Sequence, residues 1–391
     1  MKLSQRVTGL AESATLAVSA KAARMKADGV DVVSFGAGEP DFDTPPHIRQ
    51  AAIDALNAGQ TRYPNPASGL APARKAVCES LARDAGLRYR PEQVIITSGG
   101  KDAAYLAFHA LLDPGDEVVI PRPYWVSYPE MVRLAEGIPV FVAGPEENDY
   151  KLTPDLLAAV LTSRTRAFVF NSPSNPSGVT YHPDEVRAVS TVLQDREIIV
   201  FADEIYDRLL YGGQKTISYA SINERTYAQS LTCNSASKTY AMPGWRLGYA
   251  AGPLELVSAM AKLQSQSTSG AATFSQIAYA VALGGDQRCV EAMRTEFERR
   301  SVHMWRRLTA IPGVRCPKPT GAFYCFPNVS AHFARLGVSG STQFAERLLE
   351  TGKVAVVPGA AFGMDGHVRL SFATSLAAID KGLDRIEAFL R

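Results

Sequence analysis

Residues 93–121 read QVIITSGGKDAAYLAFHALLDPGDEVVIP, and this stretch decides the fold class. It begins with the apolar run 93–97, passes through a glycine pair into a segment with helical spacing, and ends in the apolar run 117–121. Short apolar runs bounded by glycine or proline are typical of buried strands. Strands that alternate with helices in this way predict a mostly parallel sheet that is covered by helices.

The alternation of apolar runs and helical segments continues to residue 251. Thr153 followed by Pro154 predicts a helix start, and Pro183 predicts another. Further strands are predicted at 139–143, 167–171, 198–202, 230–233 and 246–251. We therefore expect an α/β fold in which a large domain has a mostly parallel sheet sandwiched by helices.

The pattern changes near residue 287, where a long charge-rich helix is followed by shorter strands. The helix is predicted by apolar residues at helical spacing, namely Val290, Met293, Phe297, Met304 and Leu308. Strands are predicted at 322–326, 354–358 and 367–373, and a closing helix begins near residue 376. These elements predict a second, smaller α+β domain.

The run DVVSF at 31–35 predicts a strand outside the main alternation, so we expect the N-terminal segment to join the smaller domain. The predicted division is 1–42 for an N-terminal arm and part of the small domain, 43–288 for the large domain, and 289–391 for the small C-terminal domain. More than one core is expected in 391 residues, because single cores stop growing near ~250–300 residues.

Composition argues against several classes of function. The formal net charge of +2 is too small for a protein whose main partner is a nucleic acid or an anionic membrane. The five cysteines are scattered without a C-x-x-C motif, which argues against a disulfide framework or a metal site. No apolar run approaches the ~18 residues of a membrane span, and the N-terminus lacks a signal-peptide core, so we expect a cytoplasmic protein.

Polar, charged or aromatic residues follow five of the predicted strands. In an open parallel sheet, ligands bind beyond the carboxyl ends of the strands. The residues that follow these ends are the SGGK stretch at 98–101, Trp125, Asn175, Asp203 with Tyr206, and Lys238. Because five such ends converge on one edge of the sheet, they predict a binding site.

One part of this predicted site suits an anion. Gly99 and Gly100 at a helix start expose backbone N–H groups at the positive end of the helix dipole. Ser235 and Ser237 add hydroxyl donors, and Arg246 adds a guanidinium that can grip a phosphate. Because neither of the usual glycine-rich nucleotide motifs is present, the set predicts a monoester phosphate rather than a nucleotide.

The other part suits an aromatic aldehyde. A deprotonated Lys238 amine attacks an aldehyde and forms a Schiff base. Asp203 suits a protonated ring nitrogen, and Trp125 suits the face of a flat ring. Asn175 and Tyr206 suit a ring oxygen. A phosphate, an aldehyde, a pyridinium and a phenolate on one ring describe pyridoxal 5′-phosphate (PLP).

Longer stretches carry a family pattern, in family order over nearly the whole chain: GAGEPDFDTP (36–45), TSGGKDA (97–103), DPGDEVVIPRPYWVSYPEM (113–131), NSPSNPSG (171–178), ADEIYDRLLY (202–211), SASKTYAMPGWRLGY (235–249), GAFY (321–324), VAVVPGAAFG (354–363) and HVRLSFATS (367–375). The chain resembles the class I and II aminotransferases of the aspartate aminotransferase superfamily. It is most similar to the bacterial subgroup that includes thermophilic enzymes. One departure is NPSG, where the family usually has N-P-T-G.

The resemblance implies the PLP-dependent transferase fold and a role for each matching residue. Lys238 is implied to bind the PLP aldehyde, Asp203 to pair with the ring nitrogen, and Trp125 to stack on the ring. Tyr206 and Asn175 are implied to bond the ring oxygen. The residues implied to surround the phosphate are Gly100, Lys101, Ser235, Ser237 and Arg246, and Tyr63 is implied to reach the phosphate of the other subunit in a homodimer.

Substrate-binding residues are implied in the same way. Arg369 is implied to bind the substrate α-carboxylate, assisted by the Gly38 backbone and the Asn175 amide. Trp125 is also implied to contact the substrate. Lys101 is implied to recognise a distal carboxylate, which favours dicarboxylic substrates. The hydroxyl donors implied to assist Lys101 are Ser13 and Thr15.

The implied reaction moves the amino group of aspartate, or of a related amino acid, to 2-oxoglutarate by a ping-pong mechanism. Lys238, Asp203 and Tyr206 are the expected catalytic residues, with Lys238 as the base that moves the α-proton. Two alternatives stay open. One is an aminotransferase for aromatic amino acids or for prephenate with glutamate, and the other is a PLP-dependent C–S lyase or decarboxylase on the same fold.

Overall fold

The computed structural model describes residues 1–10 and 14–391, and its largest feature is a seven-stranded sheet. The strands, numbered in chain order, are β1 (Val33–Ser34), β2 (Val94–Thr97), β3 (Glu117–Arg122), β4 (Ile138–Ala143), β5 (Thr165–Asn171), β6 (Ile199–Asp203), β7 (Ser230–Ser235), β8 (Gly248–Ala251), β9 (Tyr324–Cys325), β10 (Val354–Ala355), β11 (Val357–Pro358) and β12 (Val368–Ser371). The strands predicted in the main alternation are therefore confirmed, with ends that differ by at most two residues.

The order of strands in the large sheet is β2-β8-β7-β6-β5-β3-β4. Neighbouring strands from β4 to β7 run parallel, whereas β8 is antiparallel to both β7 and β2. β2 and β7 therefore run in the same direction, and β8, which lies between them, runs in the opposite direction. As a result, the carboxyl ends of β2, β3, β5, β6 and β7 all lie at one edge of the sheet. This is the edge at which the sequence predicts a site.

Helices connect and cover the strands. In chain order they are α1 (Gln5–Thr8), α2 (Ala14–Ala27), α3 (Pro46–Asn57), α4 (Ala71–Ala85), α5 (Gly100–Leu111), α6 (Ser127–Leu134), α7 (Pro154–Ala158), α8 (Pro183–Thr191), α9 (Glu224–Gln229), α10 (Ala236–Thr239), α11 (Leu254–Gln266), α12 (Thr273–Gly284), α13 (Arg288–Thr309), α14 (Phe333–Leu336), α15 (Ser341–Arg347) and α16 (Leu376–Leu390). Thr153 caps α7 as predicted, since its side chain accepts a hydrogen bond from the backbone N–H of Leu156. Across residues 1–10 and 14–391, no helix has the length and apolar character needed to cross a membrane.

Both faces of the large sheet are covered because successive residues of a strand point to opposite sides. In β2, Ile95 belongs to the apolar cluster formed with α5, α6 and α11. Val94 and Ile96 belong instead to the cluster formed with α3, α4 and α12. The predicted α/β fold, a mostly parallel sheet sandwiched by helices, is therefore confirmed.

The C-terminal part has its own core beside the large sheet. The strands β11, β12 and β9 form an antiparallel sheet, and β1 pairs in parallel with β10. The predicted long helix is α13, and Phe297, Met304 and Leu308 on its apolar face are buried in one cluster with residues of α16. The predicted strand at 31–35 thus contains β1 and contacts the C-terminal part of the chain.

Two predicted strands of the C-terminal part differ in the structure. The run 354–358 is not one strand, because the chain changes partner at Val356: β10 pairs with β1, and β11 pairs with β12. The run 322–326 is reduced to β9, because Ala322 has a left-handed backbone with a φ of 55° that cannot continue a strand.

Candidate active site

A cavity of about 270 Å³ lies at the edge of the large sheet where the carboxyl ends of the strands meet. Most of the predicted site residues line it, even though they come from distant parts of the chain. These lining residues are Thr15, Gly38, Gly100, Lys101, Trp125, Asn175, Asp203, Tyr206, Ser237, Lys238, Arg246 and Arg369. The structure therefore brings the predicted set together around one space.

Three predicted residues are not among those lining the cavity. Ser235 lies just beneath it, where its hydroxyl contacts the Leu247 carbonyl oxygen at 2.9 Å and accepts a hydrogen bond from the Ser237 N–H at 3.0 Å. Ser235 therefore caps α10, and the Ser237 hydroxyl is the one that reaches the cavity. Tyr63 is 85% exposed on the surface. Ser13 lies outside the described residues.

Lys238 lies on α10, directly after the carboxyl end of β7, and its ammonium nitrogen donates a hydrogen bond to the Gly38 carbonyl oxygen. The pKa of Lys238 is lowered to about 8, chiefly by burial; the charges of Arg369 and Arg246 also lower it, whereas those of Glu39 and Asp203 oppose the fall. The amine is therefore available in its neutral form at a much lower pH than an exposed lysine, which is a requirement for a nucleophile or a base.

Asp203 is the last residue of β6 and is buried in the floor of the cavity. Its two carboxylate oxygens accept hydrogen bonds from different donors, the Tyr128 hydroxyl at Oδ2 and the Ile205 backbone N–H at Oδ1, the latter at 3.2 Å. Burial raises the pKa of Asp203, whereas these two donors and the Lys238 charge oppose the rise. A buried carboxylate of this kind favours a cationic ligand group beside it.

Arg369, on β12, is a fully buried cation on the opposite wall of the cavity. Its two terminal nitrogens donate hydrogen bonds of 3.0 Å to Asn175 Oδ1 and to the Gly36 carbonyl oxygen. Its Nε is buried and has no hydrogen-bond partner among residues 1–10 and 14–391. Burial lowers the pKa of Arg369, and the groups that oppose the fall are Tyr324 and Tyr206 rather than a carboxylate. An anionic ligand would supply both the missing acceptor and the missing charge.

Tyr324 contacts both Tyr206 and Arg369. Its hydroxyl lies 2.9 Å from the Tyr206 hydroxyl, and its ring centroid lies 4.4 Å from the central guanidinium carbon of Arg369. Burial raises the pKa of Tyr206 and of Tyr324, so both phenols stay protonated and can donate. The Tyr206 hydroxyl is thereby fixed at the cavity wall.

The turn between β2 and α5 is shaped around Arg246. Gly99 has a φ of +90°, and a Cβ at this residue would lie 2.6 Å from Nη2 of Arg246. The guanidinium donates to the carbonyl oxygens of Ser98 at 3.1 Å and of Pro243 at 2.8 Å. Since α5 begins at Gly100, its first backbone N–H groups and the Arg246 charge meet at one corner of the cavity.

Lys101 and Trp125 form the outer wall of the cavity. The Lys101 ammonium lies 5.2 Å from the centre of the Trp125 ring, within cation–π distance. Burial, and then the charge of Arg246, lower the pKa of Lys101. The outer wall therefore combines an aromatic face with a second positive charge.

Tyr128 and Tyr324 are among the seven lining residues that were not identified from the sequence as site residues. Tyr128 follows Trp125 by three residues, a spacing that places both side chains on one side of a helical turn. This spacing was an available signal. Tyr324 lies in the GAFY stretch, far in sequence from Tyr206, and no local pattern marks that contact.

Comparison with known proteins identifies the family to which this site belongs. The family described as aminotransferase class I and II matches residues 30–386. An aspartate aminotransferase of Geobacillus stearothermophilus is 47% identical over 390 residues, which cover 100% of this chain and 99% of the relative. An aspartate/prephenate aminotransferase of Nitrosomonas europaea is 43% identical over 397 residues, covering 100% of both chains.

A solved structure gives the same result in three dimensions. The aspartate aminotransferase of Thermus thermophilus with maleate matches this fold with a TM-score of 0.94, at 42% identity and with 99% of both chains covered. Both the sequence and the fold are therefore shared along almost the entire length. The chain belongs to the aminotransferase class I and II family.

Proposed function

We propose that this aminotransferase binds PLP in the cavity of about 270 Å³. The donor set fits the ring of this cofactor. Asp203 would hold the protonated ring nitrogen, and Trp125 would cover the ring face. Tyr206 and Asn175 would hold the ring oxygen. The fit is supported by the burial of Asp203, because a buried carboxylate is costly and a pyridinium beside it offsets that cost.

The phosphate of PLP fits the corner where α5 begins. Arg246, the Ser237 hydroxyl and the first backbone N–H groups of α5 would hold it, with Lys101 and Ser235 contributing nearby charge and support. The fit is supported by Gly99, because any larger residue would fill the space that Arg246 occupies. A guanidinium and a helix N-terminus are both donors that suit a phosphate dianion.

When bound, PLP supplies an aldehyde that bonds to amines and an electron-withdrawing ring that acidifies the α-carbon of an amino acid. Lys238 would provide the amine that holds the cofactor. In its neutral form it would also be the base that takes the proton from the α-carbon of the donor amino acid in one half-reaction, and in the other half-reaction it would supply a proton to the α-carbon of the new amino acid. The lowered pKa of Lys238 supports this role. Asp203 keeps the proton on the ring nitrogen.

The proposed substrate class rests on the buried Arg369 guanidinium, whose Nε has no hydrogen-bond partner in the part of the chain that the structure describes. A substrate α-carboxylate would accept from Arg369 with two parallel hydrogen bonds, while Asn175 and the Gly38 backbone assist. Every amino acid and 2-oxo acid carries this carboxylate. Arg369 therefore selects the class of substrate but not its side chain.

Aspartate is the amino donor that we propose, with 2-oxoglutarate as the acceptor. Lys101, with Thr15 beside the cavity, would bind the distal carboxylate, and Ser13 is proposed to assist although it lies outside the described residues. The Geobacillus relative is named as an aspartate aminotransferase. The Thermus structure contains maleate, a dicarboxylate.

Prephenate or an aromatic amino acid is the second candidate substrate. It is supported by the name of the Nitrosomonas relative, an aspartate/prephenate aminotransferase, and by the aromatic ring of Trp125 at the outer wall of the cavity. A substrate of that kind retains the carboxylate for Arg369. It differs in the group that would face Lys101.

We also propose that the enzyme is a cytoplasmic homodimer in which Tyr63 reaches the phosphate of the other subunit. The high exposure of Tyr63 on a single chain supports this arrangement.

The division of the chain into 1–42, 43–288 and 289–391 is proposed as well. It is supported by the pairing of β1 with β10 and by the buried Arg300, which bonds Asp41 at 2.8 Å.

A donor panel tests the proposed function. Purified enzyme with PLP is supplied with 2-oxoglutarate and, in separate assays, with aspartate, phenylalanine or another amino acid, and glutamate formation is measured. We expect aspartate to be the fastest donor, and Lys238→Ala to retain the fold but lose turnover. Phenylalanine much faster than aspartate would reverse the assignment of substrate, and normal turnover by Lys238→Ala would refute the proposed mechanism.

A further inference from the structure

We propose that Tyr128 is a positioning residue for the reaction: its hydroxyl holds the Asp203 carboxylate in the charged state and in the orientation that the ring nitrogen of PLP requires. The inference rests on the proposed function, since it assumes that Asp203 faces the cofactor. It assigns Tyr128 a role that acts through Asp203. Tyr128 is not expected to touch the atoms that react.

The carboxylate of Asp203 is held at both oxygens. The Tyr128 hydroxyl donates to Oδ2, and the Ile205 backbone N–H donates to Oδ1 at 3.2 Å. The second donor belongs to the same loop as Asp203, whereas Tyr128 lies 75 residues earlier in the chain, on α6 after β3. Tyr128 is therefore the tertiary contact that fixes the plane of the carboxylate.

Tyr128 is itself held rigidly. It is 1% exposed, and its backbone N–H donates to the Trp125 carbonyl oxygen at 3.1 Å. Its ring packs edge-on against the rings of Trp125, with centroids 5.2 Å apart, and of Phe201, with centroids 6.4 Å apart. A side chain packed on both sides has few alternative rotamers, so its hydroxyl remains aimed at Asp203.

The direction of the hydrogen bond is fixed by the charges. Burial and the neighbouring Asp203 charge raise the pKa of Tyr128 well above its ordinary value, so the phenol keeps its proton and acts as the donor. Burial raises the pKa of Asp203, and the Tyr128 hydrogen bond is the strongest influence that opposes this rise. Loss of the hydroxyl would favour the protonated acid, which cannot pair with a pyridinium.

The alternative is that Tyr128 only fills space. Tyr128→Phe separates the two roles, because it keeps the ring packing and removes only the hydroxyl. The matched control is Tyr124→Phe, which removes a hydroxyl from the same segment; its ring stacks on Phe141 and lies outside the cavity around Lys238. A role in packing alone predicts that the two variants behave alike.

The first readout is the affinity of the apoenzyme for PLP as a function of pH, measured by absorbance. As the pH falls, Asp203 takes up a proton and affinity declines. We expect Tyr128→Phe to move the midpoint of that decline upward by about one to two pH units, the effect of one hydrogen bond to a charged group. The control should titrate like the wild type. Coincident titrations of Tyr128→Phe and wild type would overturn the inference.

The second readout is turnover by the holoenzyme. We expect kcat of Tyr128→Phe to fall by about tenfold or more, with the KM for the amino donor changed less than about twofold, since Arg369 still binds the substrate.

In an Asp203→Asn background, Tyr128→Phe should leave the pH dependence of PLP binding unaltered. If Tyr128→Phe shifted the pH dependence of PLP binding equally in the wild-type and Asp203→Asn backgrounds, Tyr128 would not act through Asp203.

The wild-type measurement separates this inference from the proposed function. If wild-type protein fails to bind PLP at any pH, the proposed function fails and Tyr128 has no cofactor to serve. If wild-type protein binds PLP and transaminates while Tyr128→Phe is unchanged in both readouts, only the inference about Tyr128 fails.

Discussion

Lys238 and Asp203 line one cavity, and burial favours the neutral form of each side chain. The pKa of Lys238 is lowered to about 8, and the pKa of Asp203 is raised. The cause is common to both groups, because removal from water disfavours a charge of either sign. The consequence differs. Lys238 gains a reactive neutral amine, whereas Asp203 needs hydrogen-bond donors, including Tyr128, to keep its charge.

The pKa of Lys238 predicts how cofactor attachment depends on pH. Because only the neutral amine attacks an aldehyde, the rate at which the apoenzyme takes up PLP should rise with pH through about 8 and level off above it. Mixing apoenzyme with PLP in a stopped-flow instrument and following the new absorption band measures this rate.

The control for this experiment is Lys238→Ala, in which the new absorption band should not form at any pH. A midpoint near 10.5, the ordinary value for lysine, would contradict the effect of burial on this side chain. The pKa of Tyr206 lies well above its ordinary value, so this phenol is not expected to contribute a second step in the same range.

At the scale of elements, the turn from β2 into α5 fixes the position of Arg246. Gly99 adopts a left-handed φ of +90° and leaves room for the guanidinium, from which a Cβ would be only 2.6 Å away. Gly115, in the turn after α5, has a similar φ of +94°, but a Cβ there meets nothing within 4 Å. The two glycines thus share a positive φ and differ in what an added Cβ would contact.

Gly99→Ala should therefore weaken PLP binding by about tenfold or more, because it displaces one charged donor of the phosphate site. Both Gly99→Ala and Gly115→Ala should lower the free energy of unfolding by about 1–2 kcal/mol, since alanine is strained at positive φ. Absorbance titration with PLP measures the first effect, and urea unfolding measures the second.

Gly115→Ala should leave PLP affinity unchanged. Equal PLP affinities for the two variants would show that Arg246 tolerates the added Cβ. They would then argue against Arg246 as a phosphate ligand positioned by this turn.

At the scale of the whole molecule, the single chain leaves an open groove of about 820 Å³ next to the cavity. Arg246 lines both spaces, so the groove reaches the proposed phosphate site. Ile53 and Leu56 of α3 line the groove and are 48% and 46% exposed, and Tyr63 is 85% exposed. A second copy covering this surface would bury apolar residues and bring its own Tyr63 toward Arg246.

Mixing two defective variants tests the shared site. A hybrid dimer contains one Tyr63→Ala chain and one Lys238→Ala chain. The site on the Tyr63→Ala chain keeps its own Lys238 and receives Tyr63 from the other chain, so this site is complete. Random exchange makes half of the dimers hybrid, so activity should return to about one quarter of the wild-type value. Activity after unfolding and refolding the mixed chains together measures this recovery.

Each variant refolded alone is the control and should stay at its own low activity. If the mixture gains nothing over the controls, Tyr63 does not act across subunits. Full activity of Tyr63→Ala by itself would remove Tyr63 from the site altogether.

Local sequence patterns were sufficient to predict the α/β fold and most of the candidate site. Short apolar runs and intervening helical spacing are local signals, and parallel strands joined by helices must present their carboxyl ends at one edge. For that reason the positions of Asp203, Asn175 and Lys238 at the cavity followed from their places after β6, β5 and β7. The resemblance to a family then extended the set to Arg369, which lies outside the main sheet.

The hydrogen-bond partner of each of these groups depends on tertiary packing and could not be predicted from local sequence. Tyr128 and Asp203 are 75 residues apart, and Tyr206 and Tyr324 are 118 apart, so no local pattern pairs them. The run 354–358 is likewise split between two sheets because its neighbours, rather than its own residues, select its partners. Local propensity fixes the elements, but contacts between buried polar groups depend on how those elements pack, and packing involves the whole chain at once.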